Sequence, residues 1–425
     1  MKNNVHAIYR QLCFCLLICS ASEVKSQEQL NLDSCYVFAK ANYPLIKQQE
    51  LILKTASYTL DNATKGYLPQ LSINGQATYQ SDVTQVPIAL PGMSIPIPTK
   101  DQYKIYGELN QPLTDVLVIN QQKQLIKNNT AVEEEKLEVE LYKLKERVNQ
   151  LYFGTLLIDA QLQQVELLKK DIRSAIDKTN AALSNGTALK SSVNILKAEL
   201  LKADQRSIEL KANRKGYLHM LGLLINKPIS ENTTFQTPRT KGTLLTINRA
   251  ELRMFDAQKN TFSAQEKLIT ARTIPRLSLF IQSGYGKPAL NMLNPDFDFY
   301  YIGGLRLNWN LSTFYTFKKE KRIVLINQDL VEVQRQVFLF NTQLSLTQQQ
   351  AELNKIEELI KTDEEILSLR TSIKTTANAQ LENGTITTID YVNYVNAEDQ
   401  AKQNKLMHQL QLLMTQYTTQ TISGN

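Results

Sequence analysis

The chain has 425 residues but only 15 Gly and 12 Pro to punctuate them, so long uninterrupted elements are expected. Its formal charge of +7 is spread over interspersed residues of both signs, 21% of the chain, which excludes the clustered basic stripe of a nucleic-acid binder. No stretch after the N-terminus offers 18 consecutive apolar residues, so a membrane-embedded form of this chain would have to be a closed β-barrel or a surface-bound protein.

Residues 1–26 read as a secretory signal peptide: Lys2 and Arg10, then the apolar run Leu12 to Cys19, then small and polar residues to Ser26. Cleavage after Ser22 and cleavage before Gln27 both fit. Cys13, Cys15 and Cys19 leave with it, and Cys35 then has no intrachain partner for a disulfide. Ile18 precedes Cys19 where a lipoprotein signal wants a small residue, which argues against a lipid anchor.

The first repeat is placed at residues 27–225: a helix, two strands, a very long helix, a turn and a return helix. From Leu71 the strand alternates Leu71, Ile73, Gly75, Ala77 and Tyr79 against Ser72, Asn74, Gln76, Thr78 and Gln80. Tyr103, Ile105, Gly107 and Leu109 likewise oppose Lys104, Tyr106, Glu108 and Asn110. Between them, residues 81–102 carry Pro87, Pro91, Pro96 and Pro98, the mark of an exposed hairpin loop.

From about 115 to 184 the chain holds no proline and no glycine except Gly154, enough for a rod of roughly 100 Å. Leu137, Leu141, Leu144, Val148, Leu151, Thr155, Ile158, Leu162, Val165, Lys169, Ile172, Ile176, Thr179 and Leu183 follow 4,3 spacing, which specifies coiled-coil packing. Asn185-Gly186, followed by Thr187, is the stop, because glycine accepts the left-handed conformation that ends a helix.

A linker at 226–246, interrupted by Pro228 and Pro238, leads to a second repeat at 247–425. There Thr273-Ile274-Pro275-Arg276-Leu277-Ser278 lies over Tyr67-Leu68-Pro69-Gln70-Leu71-Ser72. Leu277, Leu279 and Ile281 start one strand; Leu305, Leu307, Trp309 and Leu311 alternate with Arg306, Asn308 and Asn310 in the next, and a loop at 286–297 joins them. A Gly- and Pro-free helix over 313–382 stops at Asn383-Gly384, followed by Thr385.

The two-faced strands fit a barrel with lipid outside and water inside, and equally a half-buried soluble sheet. On the barrel reading, Tyr79, Tyr103, Tyr300, Tyr301 and Trp309 are the aromatic residues for the membrane interfaces. Catalysis finds no foothold. Beyond the signal peptide the histidines are His219 and His408, each isolated on a helical pattern, and no nucleotide loop, serine elbow or cysteine pair is present, so no cofactor or metal is expected.

The Leu68-Pro69 and Ile274-Pro275 strand starts, the paired long helices and the run Gly384-Thr385-Ile386-Thr387-Thr388-Ile389-Asp390 together resemble the TolC-type outer membrane factors over nearly the whole mature chain. The resemblance implies a mainly α fold with a small β part. Duplicated antiparallel helical hairpins would form an α-barrel tunnel, and four strands per chain would enter a 12-stranded trimeric β-barrel. Four strands alone cannot close a barrel.

It also implies a homotrimer in outer-membrane lipid with a periplasmic helical extension, working with a periplasmic adaptor protein and an inner-membrane pump as a passive exit duct for small amphiphilic molecules. Export of unfolded proteins through the same duct, a periplasmic coiled-coil adaptor and a structural envelope protein are the alternatives. The resemblance places the periplasmic tip and gate at Asn185, Gly186, Thr187, Asn383, Gly384, Thr385, Ile386, Asp390 and Asn393. Ile386 stands where a basic residue is expected, Asn393 where a second acid is expected, and Ser191 opposite Asp390 in the first repeat. Asp390 has two readings, an acid ring of three at the constriction or an acid capping its own helix.

Overall fold

The computed structural model describes residues 29–85, 87, 97–239 and 246–425. The signal peptide, Pro91, Pro96 and part of the linker lie outside them. The described elements are β1 (Gln29–Leu30), α1 (Leu32–Asn42), α2 (Lys47–Thr64), β2 (Gln70–Tyr79), β3 (Asp101–Pro112), α3 (Val116–Tyr142), α4 (Leu144–Ser184) and α5 (Lys190–Ile225). After β4 (Thr234–Phe235) come α6 (Ala250–Ala271), β5 (Arg276–Lys287), β6 (Asp298–Asn308), α7 (Thr313–Glu382) and α8 (Thr388–Ser423). The second half thus repeats the helix, strand, strand, long helix, helix order of the first. No described helix is long and apolar enough to cross a membrane.

Two compact units divide the chain, and each draws residues from both repeats. One comprises residues 47–139 and 249–341 and holds a four-stranded antiparallel sheet in the order β2-β3-β5-β6. Its registers pair Leu71 with Leu109, Leu109 with Ile281 and Ile281 with Gly303. Odd-numbered residues of all four strands therefore share one face, which is apolar and exposed through Leu71, Ile73, Ile105, Leu279, Leu305 and Leu307. Thr114 ties the hairpins of the two repeats: its hydroxyl donates to Pro275 O at 3.2 Å and accepts from Leu277 N at 2.9 Å.

The last strand differs from the expected one. β6 ends at Asn308, so Trp309 and Leu311 lie beyond it, and Asn310 turns the chain by accepting from Ser312 N at 3.2 Å and Ser312 Oγ at 2.6 Å. β5 runs on to Lys287, leaving 288–297 as the loop.

The other unit comprises residues up to 46, 140–248 and 342–425, and the long hairpins end in it. The expected continuous helix over 115–184 is interrupted at Lys143, where the backbone stays right-handed (φ −60°, ψ −20°). No Gly or Pro is involved. The preceding Tyr142 is engaged by α8, its hydroxyl donating to Thr421 O at 2.8 Å. The seam itself is where the spacing puts it: of its fourteen positions, Leu151, Leu162 and Leu183 are half-buried and the rest are buried. Lys169 is accommodated there by Glu166 and Asp204, each at 2.9 Å.

Gly154, the one glycine of that stretch, faces α5. A Cβ there would strike the Tyr217 ring, so the absent side chain is what lets α4 and α5 approach closely. Beside it, Cys35, Val148, Tyr152, Leu221, Ile225 and Phe235 form one core cluster. β1 and β4 pair in parallel over it, and Tyr152 OH donates to Leu30 O at 2.8 Å and Gln236 O at 2.7 Å. Cys35 is a free thiol, and burial pushes it up to about 12, so it is a packing residue, not a nucleophile.

Candidate functional site

Two places carry the residues singled out from sequence: the turns between the long helices, and the sheet. The turns are built alike. Gly186 (φ 72°) and Gly384 (φ 68°) both take the left-handed conformation. Thr187 donates from both its amide (2.9 Å) and hydroxyl (3.0 Å) to Ala182 O, and Thr385 does the same to Gln380 O at the same two distances. Each threonine thus satisfies a carbonyl that the ending helix leaves free. Asn383 Nδ2 donates to Ala379 O at 2.9 Å.

The turns also meet each other. Lys178 on α4 pairs with Glu382 on α7 at 2.5 Å, and a groove lined by Thr187, Leu189, Asn383, Gly384, Ile386 and Thr387 joins them. Ile386 is half-buried and packs on the core cluster that includes Ala377, Tyr391 and Val392, so the apolar residue at the expected basic position is a packing residue. Asn393 is exposed.

Asp390 sits in a capping box at the start of α8. Its carboxylate accepts from Thr387 Oγ1 at 2.6 Å and Thr387 N at 3.1 Å, while Asp390 N donates to Thr387 Oγ1 at 3.2 Å. Those hydrogen bonds hold the carboxyl below its ordinary range. Its capping contribution is therefore complete above the ordinary aspartate pKa and is lost as pH falls through the depressed folded value. The cap adds a second way of laying the repeats over each other. Counted from the N-caps Leu189 and Thr387, the residue opposite Asp390 is Ser192, and Ser191 falls opposite it only when the core pair Val193 and Val392 is aligned.

Cap and ring make separable demands. Asp390→Asn keeps an acceptor for Thr387 but removes the charge. If three Asp390 carboxylates line a constriction, it lowers cation preference in planar bilayers with trimer yield unchanged. If Asp390 only caps α8, selectivity stays at the wild-type value.

The polar face of the sheet is also organised. Arg306 Nη1 on β6 donates to Glu108 Oε1 on β3 at 2.5 Å, across the intervening β5, and its guanidinium lies 4.2 Å from the Phe280 ring centre. Gln282 Nε2 donates to the other Glu108 oxygen at 2.6 Å. Glu108 and Arg306 were separate polar-face marks in the sequence; only the register brings them together. Nothing within either strand's own pattern signals the pair.

No protein-family model and no curated protein matches this sequence. Solved structures do. CusC, in crystal structures concerned with folding and transmembrane channel formation, shares 14% identity at a TM-score of 0.67, over 94% of this chain and 92% of that one. The CmeC outer membrane channel of Campylobacter jejuni matches at 0.64 with 13% identity, over 92% of this chain and 85% of that one. The open-state MtrE outer membrane channel of Neisseria gonorrhoeae matches at 0.65 with 14% identity, over 93% and 89%. The fold is that of the TolC-type outer-membrane channels.

Against this channel fold the expected interface aromatics sort by strand parity. Tyr79, Tyr103 and Tyr301 lie exposed on the apolar face. Tyr300 does not. Successive strand residues face opposite ways, so Tyr300 and Tyr301 cannot share a surface, and Tyr300 is buried on the Arg306 face. Its register row is Tyr106, Gly284, Tyr300, and a Cβ at Gly284 would collide with Ile105 O and Tyr106 Cβ, so only glycine fits between the two tyrosines.

Trp309 is half-exposed just past β6, with Nε1 donating to Thr273 O at 3.0 Å and Phe314 packed edge-on at 6.3 Å. Sequence reasoning missed Tyr285, Phe297 and Phe299. Phe297 stacks on Tyr285 at 5.7 Å and lies 6.2 Å from Tyr103, at the loop end of the apolar face. The parity of Tyr285 and Phe299 with Ile281 and Leu305 was the available signal.

Proposed function

We propose that this chain is one protomer of a homotrimeric outer-membrane channel that serves as a passive exit duct. Three sheets close edge to edge into a 12-stranded barrel, apolar face to lipid and polar face to water. The paired helical hairpins supply the wall of a periplasmic tunnel. One observation carries the reading: a sheet whose odd-numbered face is apolar and uncovered except for Ser283 and the strand-end residues Asp101, Gln111 and Lys287, with aromatic residues at both ends and no strand beyond β2 or β6 among the described residues. A soluble protein would bury such a face, whereas a barrel strand needs it.

The outer edges of β2 and β6 are rows of unpaired backbone groups, which hydrocarbon does not tolerate. Identical neighbours satisfy both edges at once. Neighbours of the same fold are channels, and we read the chain as a conduit rather than an enzyme. On this reading it receives its cargo from an inner-membrane pump through a periplasmic adaptor protein. Small amphiphilic molecules are the cargo this reading favours.

Cell-surface accessibility tests the reading. β3 starts at Asp101, two residues inside the expected loop, and the β2–β3 and β5–β6 loops approach each other where Thr84 Oγ1 lies 3.9 Å from Met292 Sδ; on this reading both loops face the exterior. Epitope tags in either loop are expected to bind antibody on intact cells, with the protein extracted by detergent as a heat-modifiable trimer. Tags reached only after permeabilisation, or a protein released by salt alone, would reject it.

A further inference from the structure

The polar face of the sheet carries five charged residues, Lys104, Arg276 and Arg306 against Glu108 and Asp298. Arg306 and Arg276 each have an acid within ion-pair distance, and Lys104 shares its register row with one. Arg306 is paired with Glu108 at 2.5 Å, with Gln282 completing the acid's coordination and Phe280 supporting the guanidinium. Arg276, at the strand start, lies 3.7 Å from Asp115. Lys104 shares a register row with Gly286 and Asp298. A Cβ on Gly286 would come within 3.0 Å of Lys104 Cγ, so the lysine leans over that glycine toward the strand that bears Asp298.

We infer that the barrel wall is charge-balanced, and that Glu108 is the specificity-determining residue that keeps it from preferring anionic cargo. The inference rests on the channel reading above. Fixed charges in a narrow, low-dielectric passage act over a distance comparable to its radius, since the Debye length is about 10 Å at 0.1 M salt. A guanidinium bound to a carboxylate presents a dipole to the lumen, and the same guanidinium alone presents a full charge. In a trimer each substitution is felt three times, so one residue changes the lumen by three charges. A balanced wall admits neutral, zwitterionic and singly charged amphiphiles alike, and leaves charge selection to other parts of the duct.

The test uses full-length trimers in planar bilayers under a potassium chloride gradient, reading the reversal potential against wild type. Glu108→Gln frees Arg306 and is expected to raise the anion-to-cation permeability ratio by about twofold or more. Arg306→Gln frees Glu108 and shifts the ratio the opposite way, and the double variant returns it to the wild-type value. Lys104→Gln leaves the Arg306 network intact and must shift the ratio toward cations even if the network variants fail to assemble. Opposite shifts with restoration support the inference. Conducting pores whose reversal potential ignores these substitutions, or moves the same way in both network variants, overturn it and leave the channel reading standing. A wild-type protein that forms no pores overturns the channel reading itself, and the inference with it.

Discussion

Ile281→Arg is expected to abolish accumulation of the trimer in the outer membrane. Ile281 sits mid-strand on the apolar face, between Leu109 and Gly303 and four residues from Tyr285 on one side and Leu277 on the other. At the midplane of a lipid-facing surface an arginine costs about 2–4 kcal/mol, and a trimer bears it three times. In water the same residue, half exposed in the single chain, would tolerate arginine to within about 0.5 kcal/mol. The two readings of the sheet, lipid-facing and solvated, therefore differ in outcome by orders of magnitude in the assembled population. Asn74→Arg, on the polar face, is the control and should assemble normally. Equal trimer yield for the two variants in outer-membrane fractions would show that the apolar face does not meet lipid.

Leu144→Asp attacks the helical unit instead. Leu144 opens α4 directly after the Lys143 interruption and is 4% exposed, on the seam shared with Leu141 and Val148. An aspartate there is a buried, unpaired charge worth about 3–5 kcal/mol against the fold, enough to consume much of the stability of an ordinary domain. Expected results are a steep loss of heat-resistant trimer and early proteolysis in the hairpin. Lys143→Asp, one residue away and on the exposed side, should leave both unchanged. A Leu144→Asp trimer with the wild-type melting temperature would mean that the 4,3 seam is not a packing surface.

Much of the architecture is legible in the residues because it depends on local periodicity. The 4,3 spacing of Leu137 to Leu183 identifies the buried side of the long helix, since 3.5 residues per repeat keeps one face against a partner. Gly186 and Gly384 mark the helix stops because they are the residues whose backbones reach positive φ there. Alternation separates Leu71, Ile73 and Tyr79 from Ser72, Asn74 and Gln76 without any knowledge of what each face meets. Parity also contained the answer on Tyr300 and Tyr301, and the error was to place both on one surface.

The tertiary structure decided what depends on which strands and helices are neighbours. The Arg306 and Glu108 pair is nearly 200 residues apart in sequence and exists only because β5 lies between β3 and β6 in a particular register. Gly154 gains its meaning from Tyr217, and the break at Lys143 coincides with a hydrogen bond to α8 that no local propensity encodes. Capping by Asp390 was one of two roles its sequence position allowed, and the geometry of Thr387 is what realises it. The physical division is one of range: side-chain period, glycine φ and proline placement act within a few residues and are written in the sequence, while register, close approach and charge pairing are set by distant segments and appear only when the chain is folded.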